Sequence, residues 1–491
     1  MIPIALGDVA AATGGRLTGG ADAAAEVSGV VVDSRAATGG DLFAAVPGER
    51  VDGHDYAAAA LGAGAVAVLA ERDLGEDVPA VVVPGRVLDA LPALAAEVLA
   101  RRRALADDPD LDAPFDVVGV TGSSGKTSTK DLLAAVLAPL GPVVAPPGSY
   151  NNELGVPLTL LRVEEGTRSL VVEMGARGVG HIAHLCELAR PRVGAVLNVG
   201  SAHVGEFGSP EAIAVAKGEL VESLPAAADG GVAVLNADDH RVAAMAERTR
   251  ARVVTFGWGA DADVRAEDVR VDDQGRPSFT LATGAAGERA AAAVSMQLHG
   301  EHHVSNALAA AACALAVGAD LADVAAALSA ARAASRWRME VTERPDGVVV
   351  VNDAYNANPE SVRAALRALK AMRRPGGRTW AVIGEMLELG DTARDEHDAV
   401  GRYAVRLDVS RLVAVGEGAR PVHTGAVLEG SYADESVWVP EVGAAEALLA
   451  EELRPGDVVL VKSSHGAGLL HLGDRLAAVG ASAVGTGQVR P

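Results

Sequence analysis

The 491-residue chain is poor in aromatic side chains, which make up 3% of it, and it contains two cysteines, Cys186 and Cys313. So few aromatic rings leave little material for platforms on which nucleic-acid bases stack. Two cysteines in separate apolar stretches can form neither a disulfide framework nor a cysteine metal site, and this usage is typical of a reducing compartment. Alanine, valine and leucine must therefore fill the cores.

Positive charge is also in deficit, since 43 Lys and Arg stand against 65 Asp and Glu, a formal net charge of −22. This imbalance argues against wholesale binding to nucleic acid or an anionic membrane, both of which need basic patches. The apolar run at residues 307–319 is shorter than the roughly 20 residues that span a bilayer, and it predicts a buried helix. Residues 1–20 carry Asp8 and lack a basic residue before Arg16, unlike a signal peptide. We therefore expect a cytoplasmic protein without a membrane span.

The length predicts about three domains at roughly 150 residues each. Two segments have the character of boundaries: the acidic, proline-containing residues 104–115, and residues 331–338, which follow an alanine-rich helical pattern. We therefore predict domains at residues 1–108, 109–333 and 334–491.

Short β-branched runs that alternate with helical patterns predict an α/β fold throughout. We predict a small α/β N-terminal domain, a central P-loop domain with a parallel sheet, and a C-terminal doubly wound, Rossmann-like domain. The polar, turn-rich residues 262–298 predict an antiparallel appendage to the central domain. The predicted strands lie near residues 27–32, 42–46, 66–69, 117–120, 170–173, 193–197, 232–235, 253–256, 348–352, 379–383, 412–415 and 458–462.

The strongest motif is a strand that enters a glycine-rich loop and then a helical pattern at residues 128–137. Residues 117–127 read Val-Val-Gly-Val-Thr-Gly-Ser-Ser-Gly-Lys-Thr, and Val120 stands where the strict Walker spacing requires glycine. The loop is therefore the shorter T-G-x-x-G-K-T variant. Its backbone N–H groups can wrap a phosphate, Lys126 can reach the β- and γ-phosphates, and the Thr127 hydroxyl can ligate Mg²⁺. An ordinary strand–turn–helix junction is the alternative.

Polar residues follow other predicted strands, at the edge where open α/β sheets bind ligands. Glu173 ends one strand and is placed to serve a metal, or is simply a solvated strand end. His203 lies in a small-residue loop after another strand, where a structural or incidental role is the alternative. The pair Asn151 and Asn152 follows a Pro/Gly turn.

Three later polar residues also have two interpretations each. Lys217, in Ala-Lys-Gly-Glu, lies on a predicted helix and by composition alone is a surface lysine. Asn306 begins the apolar helix and could hydrogen-bond adenine or satisfy a helix contact. Asp353 follows a strand in an Asn- and Pro-rich segment, where turn and N-cap chemistry is the alternative.

Together and in this order, these motifs resemble the Mur ligase family of ATP-dependent peptide-forming enzymes over nearly the whole chain. Within the family the chain looks most like members that add D-alanyl-D-alanine to UDP-N-acetylmuramoyl-tripeptide, and its Ala/Arg usage is similar to that of actinobacterial members. The pieces that discriminate are Asp33-Ser-Arg35, Gly40-Asp-Leu-Phe43, residues 48–54, Glu173-Met-Gly-Ala176, residues 353–359 and Ile383-Gly-Glu-Met386.

The resemblance implies an amide ligase of cytoplasmic peptidoglycan precursor synthesis, and so a role in cell-wall biogenesis, cell shape and cell division. The tripeptide carboxylate would attack the γ-phosphate of ATP, and the amine of D-Ala-D-Ala would attack the acyl phosphate. The products would be UDP-N-acetylmuramoyl-pentapeptide, ADP and phosphate. The first domain would bind the UDP-muropeptide, the second ATP, and the third D-Ala-D-Ala. We expect a monomer with no nucleic-acid partner.

The resemblance also implies residue roles. The implied catalytic residues are Lys126, Glu173, His203 and Lys217. The implied ATP-binding residues are Thr121, Gly122, Ser123, Ser124, Gly125, Lys126 and Thr127, with Asn306 at adenine, Arg336 at a phosphate and Asp353 at the ribose. The implied ligands of two Mg²⁺ ions are Thr127, Glu173, His203 and Lys217, the last as a carbamate. The implied contacts to the UDP substrate are Ser34, Arg35, Asn151 and Asn152.

Two departures from the family pattern limit what carries over. His303 replaces the first asparagine of H-N-x-x-N, and Lys462-Ser-Ser-His465 lacks the arginine often found there, so contacts to D-Ala-D-Ala are not assigned. Another Mur-type or folylpolyglutamate-synthase-like ligase is the nearest alternative. A kinase would leave the later motifs unexplained, and a nucleotide-binding regulatory module would leave Glu173, His203 and Lys217 idle. Whether the third peptide residue is diaminopimelate or lysine stays open.

Overall fold

The computed structural model describes residues 1–48, 51–200, 204–284 and 290–479. Three α/β units follow one another along the chain, each with its own main sheet. The predicted fold class is confirmed: a small α/β unit, a P-loop unit with a parallel-sheet core, and a doubly wound unit.

The first unit is a mostly parallel sheet covered by helices. Its elements are β1 (Ile4–Ala5), α1 (Leu6–Thr13), β2 (Arg16–Thr18), β3 (Glu26–Val27), β4 (Gly29–Val31), β5 (Asp41–Ala44), α2 (Ala57–Ala63), β6 (Ala67–Ala70), β7 (Ala80–Val82) and α3 (Val87–Asp107). The sheet order is β2-β7-β6-β5-β4, and β2 is antiparallel to β7. All four residues of β6 are buried, which explains its continuous apolar sequence.

The central unit is a nine-stranded sheet in the order β16-β15-β14-β13-β12-β11-β8-β10-β9. Its strands are β8 (Asp116–Thr121), β9 (Val143–Val144), β10 (Ser169–Glu173), β11 (Val193–Val196), β12 (Val232–Asn236), β13 (Arg252–Gly257), β14 (Val264–Val271), β15 (Pro277–Thr283) and β16 (Ala290–Ser295). Its helices are α4 (Lys126–Leu137), α5 (Gly155–Leu160), α6 (His181–Ala189), α7 (Val204–Phe207), α8 (Pro210–Glu222), α9 (His240–Ala243), α10 (His303–Ala316) and α11 (Leu321–Ala330). The predicted antiparallel appendage is β14–β16, and it continues the main sheet because β14 pairs in parallel with β13.

The third unit is a six-stranded sheet in the order β17-β18-β22-β19-β20-β21, parallel except for β17. Its elements are β17 (Glu340–Glu343), β18 (Val349–Asn352), α12 (Pro359–Ala371), β19 (Thr379–Ile383), α13 (Ala393–Arg406), β20 (Arg411–Val415), α14 (Arg420–Glu429), β21 (Ser436–Val439), α15 (Val442–Glu452), β22 (Val458–Lys462) and α16 (Leu470–Ala478). Separate apolar cores lie on the two faces of this sheet, as doubly wound folds require.

The third unit contacts the central unit at the glycine-rich loop. Asn358, the N-cap of α12, donates from its side chain to the carbonyl of Ser123 at 3.5 Å. The N–H of Gly205 donates to the carbonyl of Glu388 at 3.2 Å. The carboxyl edges of the two parallel sheets therefore face one another.

The first and central units are joined through a buried arginine on α3. Arg102 is 1% exposed, and its guanidinium donates to the carbonyls of Thr167, Ala113 and Pro114 at 2.7–3.1 Å. It also lies 4.7 Å above the ring of Phe115. The carbonyl oxygens and the aromatic ring together stabilise the buried positive charge of Arg102.

Replacing Arg102 with methionine should destabilise this junction by about 2–4 kcal/mol, because several carbonyls lose their donor at once. Urea unfolding followed by circular dichroism measures the loss. The matched control is Arg101→Met, since Arg101 is more exposed and pairs with Glu97 and Asp8. It should cost less than about 1 kcal/mol. Equal losses in the two variants would contradict the role given to Arg102.

Candidate functional site

The glycine-rich loop connects β8 to α4 and leaves the start of that helix free of a side-chain cap. Gly125 is the N-cap residue, in the left-handed region with φ of +80°, and α4 begins at Lys126. A helix start without a side-chain cap has N–H groups available for an anion. Other loop N–H groups are already used, since those of Ser123 and Ser124 donate to the carbonyl and side-chain oxygens of Asn198.

The loop lysine and threonine lie at the first turn of α4. Lys126 donates to the carbonyl of Gly122 at 2.6 Å, and burial lowers the pKa of its ammonium, an effect that Glu173 partly opposes. The hydroxyl of Thr127 contacts that of Ser149 at 2.7 Å. Thr121 is fully buried and donates to the carbonyl of Met174 at 2.8 Å, so its hydroxyl ties β8 to the end of β10.

Glu173 ends β10 directly beside the loop, in register with Val120 of β8. It is 1% exposed, and its Oε1 accepts a hydrogen bond from Asn151 at 2.7 Å. Its Oε2 is buried and has no hydrogen-bond partner. A buried carboxylate oxygen without a donor is costly unless a cation balances it.

Lys217 lies on α8 and is 3% exposed, which contradicts the surface alternative from composition. Burial lowers the pKa of its ammonium well below the usual value, and the nearby Lys126 cation lowers it further. Lys126 is thus within electrostatic range of both Glu173 and Lys217. His203 lies outside the described residues. Among those that are described, no three acidic, histidine or cysteine side chains gather as a metal site.

Asn306 contacts the glycine-rich loop from α10, whereas Asp353 lies in the third unit and is paired there. Asn306 is buried on α10 and lies against Gly125, since a Cβ built on that glycine would be 2.5 Å from its Oδ1. The same oxygen accepts a long hydrogen bond from the hydroxyl of Thr129 at 3.4 Å. Asp353 follows β18 and pairs with the buried Lys462 at 2.6 Å. It also accepts from the backbone of Met339 at 3.1 Å. The sequence did not indicate a functional role for Lys462, which was noted only as part of a segment that departs from the family pattern.

Two of the arginines in the linker between the central and third units, Arg336 and Arg338, make contacts in different directions. Arg336 is 61% exposed at its side chain and pairs with Asp474 at 3.2 Å. Arg338, which sequence analysis did not single out, donates to the hydroxyls of Thr127 at 3.2 Å and Ser149 at 3.0 Å. Its buried Nε has no partner. The structure therefore places Arg338, and not Arg336, at the glycine-rich loop.

The four residues predicted to contact the UDP substrate do not form one cluster of contacts. Asn151 holds Glu173, while the side chain of Asn152 accepts from the N–H of Gly155 at 2.9 Å at the start of α5. In the first unit, Ser34 opens a short 3₁₀ helix, and the side chain of Arg35 pairs with Asp33 and is 87% exposed.

A small open pocket of about 10 Å³ lies between α4 and the linker. Ser128, Asp131, His303, Arg332, Ser335 and Arg338 line it. Beneath it, the buried Lys130 pairs with Asp131, whose carboxylate also accepts from the N–H of Ser335 at 3.1 Å. The linker is thereby fixed to the helix that carries the loop.

His302 and His303 stack at the start of α10, with ring centroids 4.3 Å apart. Burial is the main cause that lowers the pKa of both, to about 4 for His302 and well below the usual value for His303. His303 thus presents a neutral imidazole to the pocket, with a buried Nε2 that has no partner.

We expect these histidines to make the protein sensitive to acid. In the unfolded chain both bind protons with a pKa near 6.5, whereas in the folded chain the pKa of His302 is about 4 and that of His303 is also lowered, so stability is lost as pH falls below about 6.5. His302 alone should account for a loss of about 2 kcal/mol between pH 7.5 and pH 5. Urea unfolding at the two pH values measures this, and His302→Gln should show a smaller pH dependence. An unchanged dependence would contradict the prediction.

Comparison with known proteins agrees with this geometry. The Mur ligase middle domain matches residues 120–314, the Mur ligase glutamate ligase domain residues 337–465, and the Mur ligase family catalytic domain residues 26–104. A UDP-N-acetylmuramoyl-tripeptide–D-alanyl-D-alanine ligase of Mycobacterium tuberculosis (strain H37Rv) is 52% identical over 489 residues, covering 92% of each chain. The ligase of that name from Escherichia coli K12 is 34% identical over 96% of this chain and 97% of its own.

Solved structures give the same result. Crystal structure I of MurF from Acinetobacter baumannii superposes with a TM-score of 0.81 at 31% identity, covering 97% of this chain and 99% of that one. MurF ligase from Thermotoga maritima in complex with ADP gives 0.75 at 28% identity, covering 93% and 99%. The chain belongs to the Mur ligase family. Within that family it resembles the UDP-N-acetylmuramoyl-tripeptide–D-alanyl-D-alanine ligases, including those of mycobacteria, and the resemblance stated from sequence is confirmed.

The helices of the described ranges include none that is both long and apolar enough to cross a membrane.

Proposed function

We propose that this protein is an ATP-dependent ligase that joins D-alanyl-D-alanine to UDP-N-acetylmuramoyl-tripeptide, in cytoplasmic synthesis of the peptidoglycan precursor. The relatives that cover nearly the whole chain carry the name of this activity. One observation in the structure supports it above others: the loop lysine, Lys126, lies within electrostatic range of two further buried ionisable residues, Glu173 and Lys217. A simple phosphate-binding loop needs only the first of them.

Each unit receives one substrate in this proposal. Residues 1–108 bind the UDP end of the muropeptide, with Ser34 and Arg35 at the substrate, and Asn151 and Asn152 extend that contact from the central unit. Residues 109–333 bind ATP, and residues 334–491 bind D-Ala-D-Ala. The three sheets, β2–β7, β8–β16 and β17–β22, fall within these ranges.

The nucleotide lies along the start of α4, with its base toward Asn306 and its ribose toward Asp353. The free N–H groups of the first turn, Lys126 and Arg338 surround the phosphates. Their shared task is electrostatic, because a carboxylate nucleophile and a triphosphate repel each other. Donors and cations placed beforehand lower that repulsion where charge develops, and no later reorganisation is needed. Arg336 stays a predicted phosphate contact, although the geometry favours Arg338 for that task.

The donor set fits magnesium. The unpartnered Oε2 of Glu173 and the hydroxyl of Thr127 are hard oxygen ligands of the kind that Mg²⁺ prefers, and His203 is a further predicted ligand. When bound, Mg²⁺ supplies positive charge that neutralises the phosphates. Asn151 orients the Glu173 carboxylate by holding its other oxygen.

Lys217 is suited to carry a carbamate. An amine reacts with CO₂ only after it has lost its proton, and burial beside Lys126 favours that loss by lowering the pKa of the ammonium. The product replaces a repelling ammonium with anionic oxygen, which can serve the second Mg²⁺ that we predict.

The proposed function is tested with the full chain, UDP-N-acetylmuramoyl-tripeptide, ATP, Mg²⁺ and D-Ala-D-Ala. We expect phosphate release that requires all four, with mass spectrometry showing the pentapeptide product. A panel of single amino acids as acceptors separates this ligase from other Mur-type or folylpolyglutamate-synthase-like ligases. ADP with a phosphorylated acceptor would indicate a kinase, and no release with any acceptor would overturn the proposal.

A further inference from the structure

The Ala-Lys-Gly-Glu motif, residues 216–219, is buried over its whole length in α8, yet the proposed chemistry uses only Lys217. Gly218 and Glu219 contact other elements of the central unit. The proposed chemistry does not explain why these two residues make such close contacts.

Glu219 connects α8 to the start of α6. Its carboxylate is 7% exposed, and its two oxygens accept from the N–H groups of Gly180 at 2.5 Å and Ala183 at 3.0 Å. Gly180 is the N-cap of α6 and offers no side chain of its own. A carboxylate at a helix start binds free N–H groups and complements the helix dipole.

The segment that Glu219 holds leads directly back to Glu173. Residues 174–180 connect the end of β10 to α6, so one carboxylate links the helix of Lys217 to the loop that follows Glu173. The hydrogen bonds of Glu219 thereby restrict movement of α8 relative to the segment that follows Glu173.

Gly218 leaves room for an arginine that lies across α8. Arg248 donates to the carbonyls of Ala214 and Val215, each at 2.9 Å, and to Glu222 at 2.8 Å. A Cβ at residue 218 would lie 1.9 Å from Nη1 of Arg248. Glycine in a helix interior is otherwise unfavourable, so the guanidinium explains its presence here.

We propose that Glu219 and the contact between Gly218 and Arg248 are positioning elements, which hold Lys217 and Glu173 at the separation that one shared cation site requires. This inference rests on the proposed function. Neither element touches a substrate, and both act through the placement of α8. The whole motif then has a single purpose, with Lys217 as the ligand and its two neighbours as the support.

The first test is Glu219→Gln, which keeps the size of the side chain. Its single amide oxygen can accept from only one of the N–H groups of Gly180 and Ala183. We expect the Mg²⁺ concentration for half-maximal phosphate release to rise about tenfold, as for other residues that support metal ligands. The carbamate signal from ¹³C-bicarbonate in NMR should fall in parallel, while KM for ATP stays near the wild-type value. The matched control is Glu211→Gln on the same helix, because Glu211 is exposed and pairs with Arg241. It should change neither readout.

The second test is a double-mutant cycle that separates a clash from a loss of helix stability. Gly218→Ala alone should raise the Mg²⁺ requirement about tenfold, because its Cβ displaces Arg248. In an Arg248→Ala background the same change should have little further effect, since the obstacle is gone. Gly443→Ala on α15, where nothing lies within 4 Å of the added Cβ, is the control for alanine itself.

Variants that lose thermal stability but keep the wild-type Mg²⁺ dependence and carbamate signal would overturn the inference and leave the proposed function intact. Additive effects of Gly218→Ala and Arg248→Ala would also overturn it. A wild-type protein without ligase activity would overturn the proposed function, and this inference with it.

Discussion

Replacing Lys217 with alanine should lower the rate of D-Ala-D-Ala-dependent phosphate release by at least about 100-fold, as expected when a preorganised electrostatic group is lost. The reason is the environment of the side chain. Burial, and then the neighbouring Lys126 cation, lower the pKa of this lysine, which favours the neutral amine that the proposed chemistry converts into an anionic carbamate. Alanine removes the amine and with it the carbamate.

The same variant offers a rescue experiment. A short-chain carboxylate such as acetate can place an anionic oxygen in the space that the shortened side chain leaves, so it should restore part of the activity. Lys370→Ala, on the exposed face of α12, is the matched control and should keep wild-type rates. Full activity in Lys217→Ala would remove the carbamate from the proposed mechanism.

Replacing Arg338 with alanine should lower kcat/KM for ATP by about 10³-fold, the range in which an arginine contributes to phosphoryl transfer. Arg338 donates to Thr127 and Ser149 at the start of α4, and its ring contact with Tyr355 at 4.3 Å fixes its direction. Its unpartnered Nε leaves a donor available for a phosphate oxygen.

Arg336→Ala is the natural control, because this arginine lies two residues away and pairs with Asp474 in solvent. We expect a change of no more than about threefold, as for exposed ion pairs in general. Steady-state phosphate release over a range of ATP concentrations measures both variants. A larger loss in Arg336→Ala than in Arg338→Ala would support the assignment made from the sequence resemblance instead.

The linker shows why this choice could not be made from sequence. Trp337 and Met339 both have positive φ values, +58° and +50°, in the region that non-glycine residues seldom adopt. A backbone that twists in this way does not keep the side-chain alternation of a strand or the periodicity of a helix. The directions of Arg336 and Arg338 therefore depend on the units at either end of the linker.

The central sheet shows the opposite case. The predicted strands near residues 117–120, 170–173, 193–197 and 232–235 match β8, β10, β11 and β12, with shifts at their ends. Strands covered on both faces need apolar side chains throughout, and such continuous apolar runs can be recognised directly in the sequence. The order of these strands was not predicted, because neighbouring strands in the sheet are distant in the chain.

The sequence alone determined the fold class, the glycine-rich loop and the family, because each is encoded in contiguous residues or in motifs whose order survives in the chain. It could not determine the electrostatic state of those residues. The lowered pKa of Lys217, the unpartnered oxygen of Glu173 and the contact of Arg338 with the loop depend on desolvation and on contacts from distant segments. Only the tertiary structure brings those segments together. It therefore decides the pKa values and the hydrogen-bond partners of the motif residues.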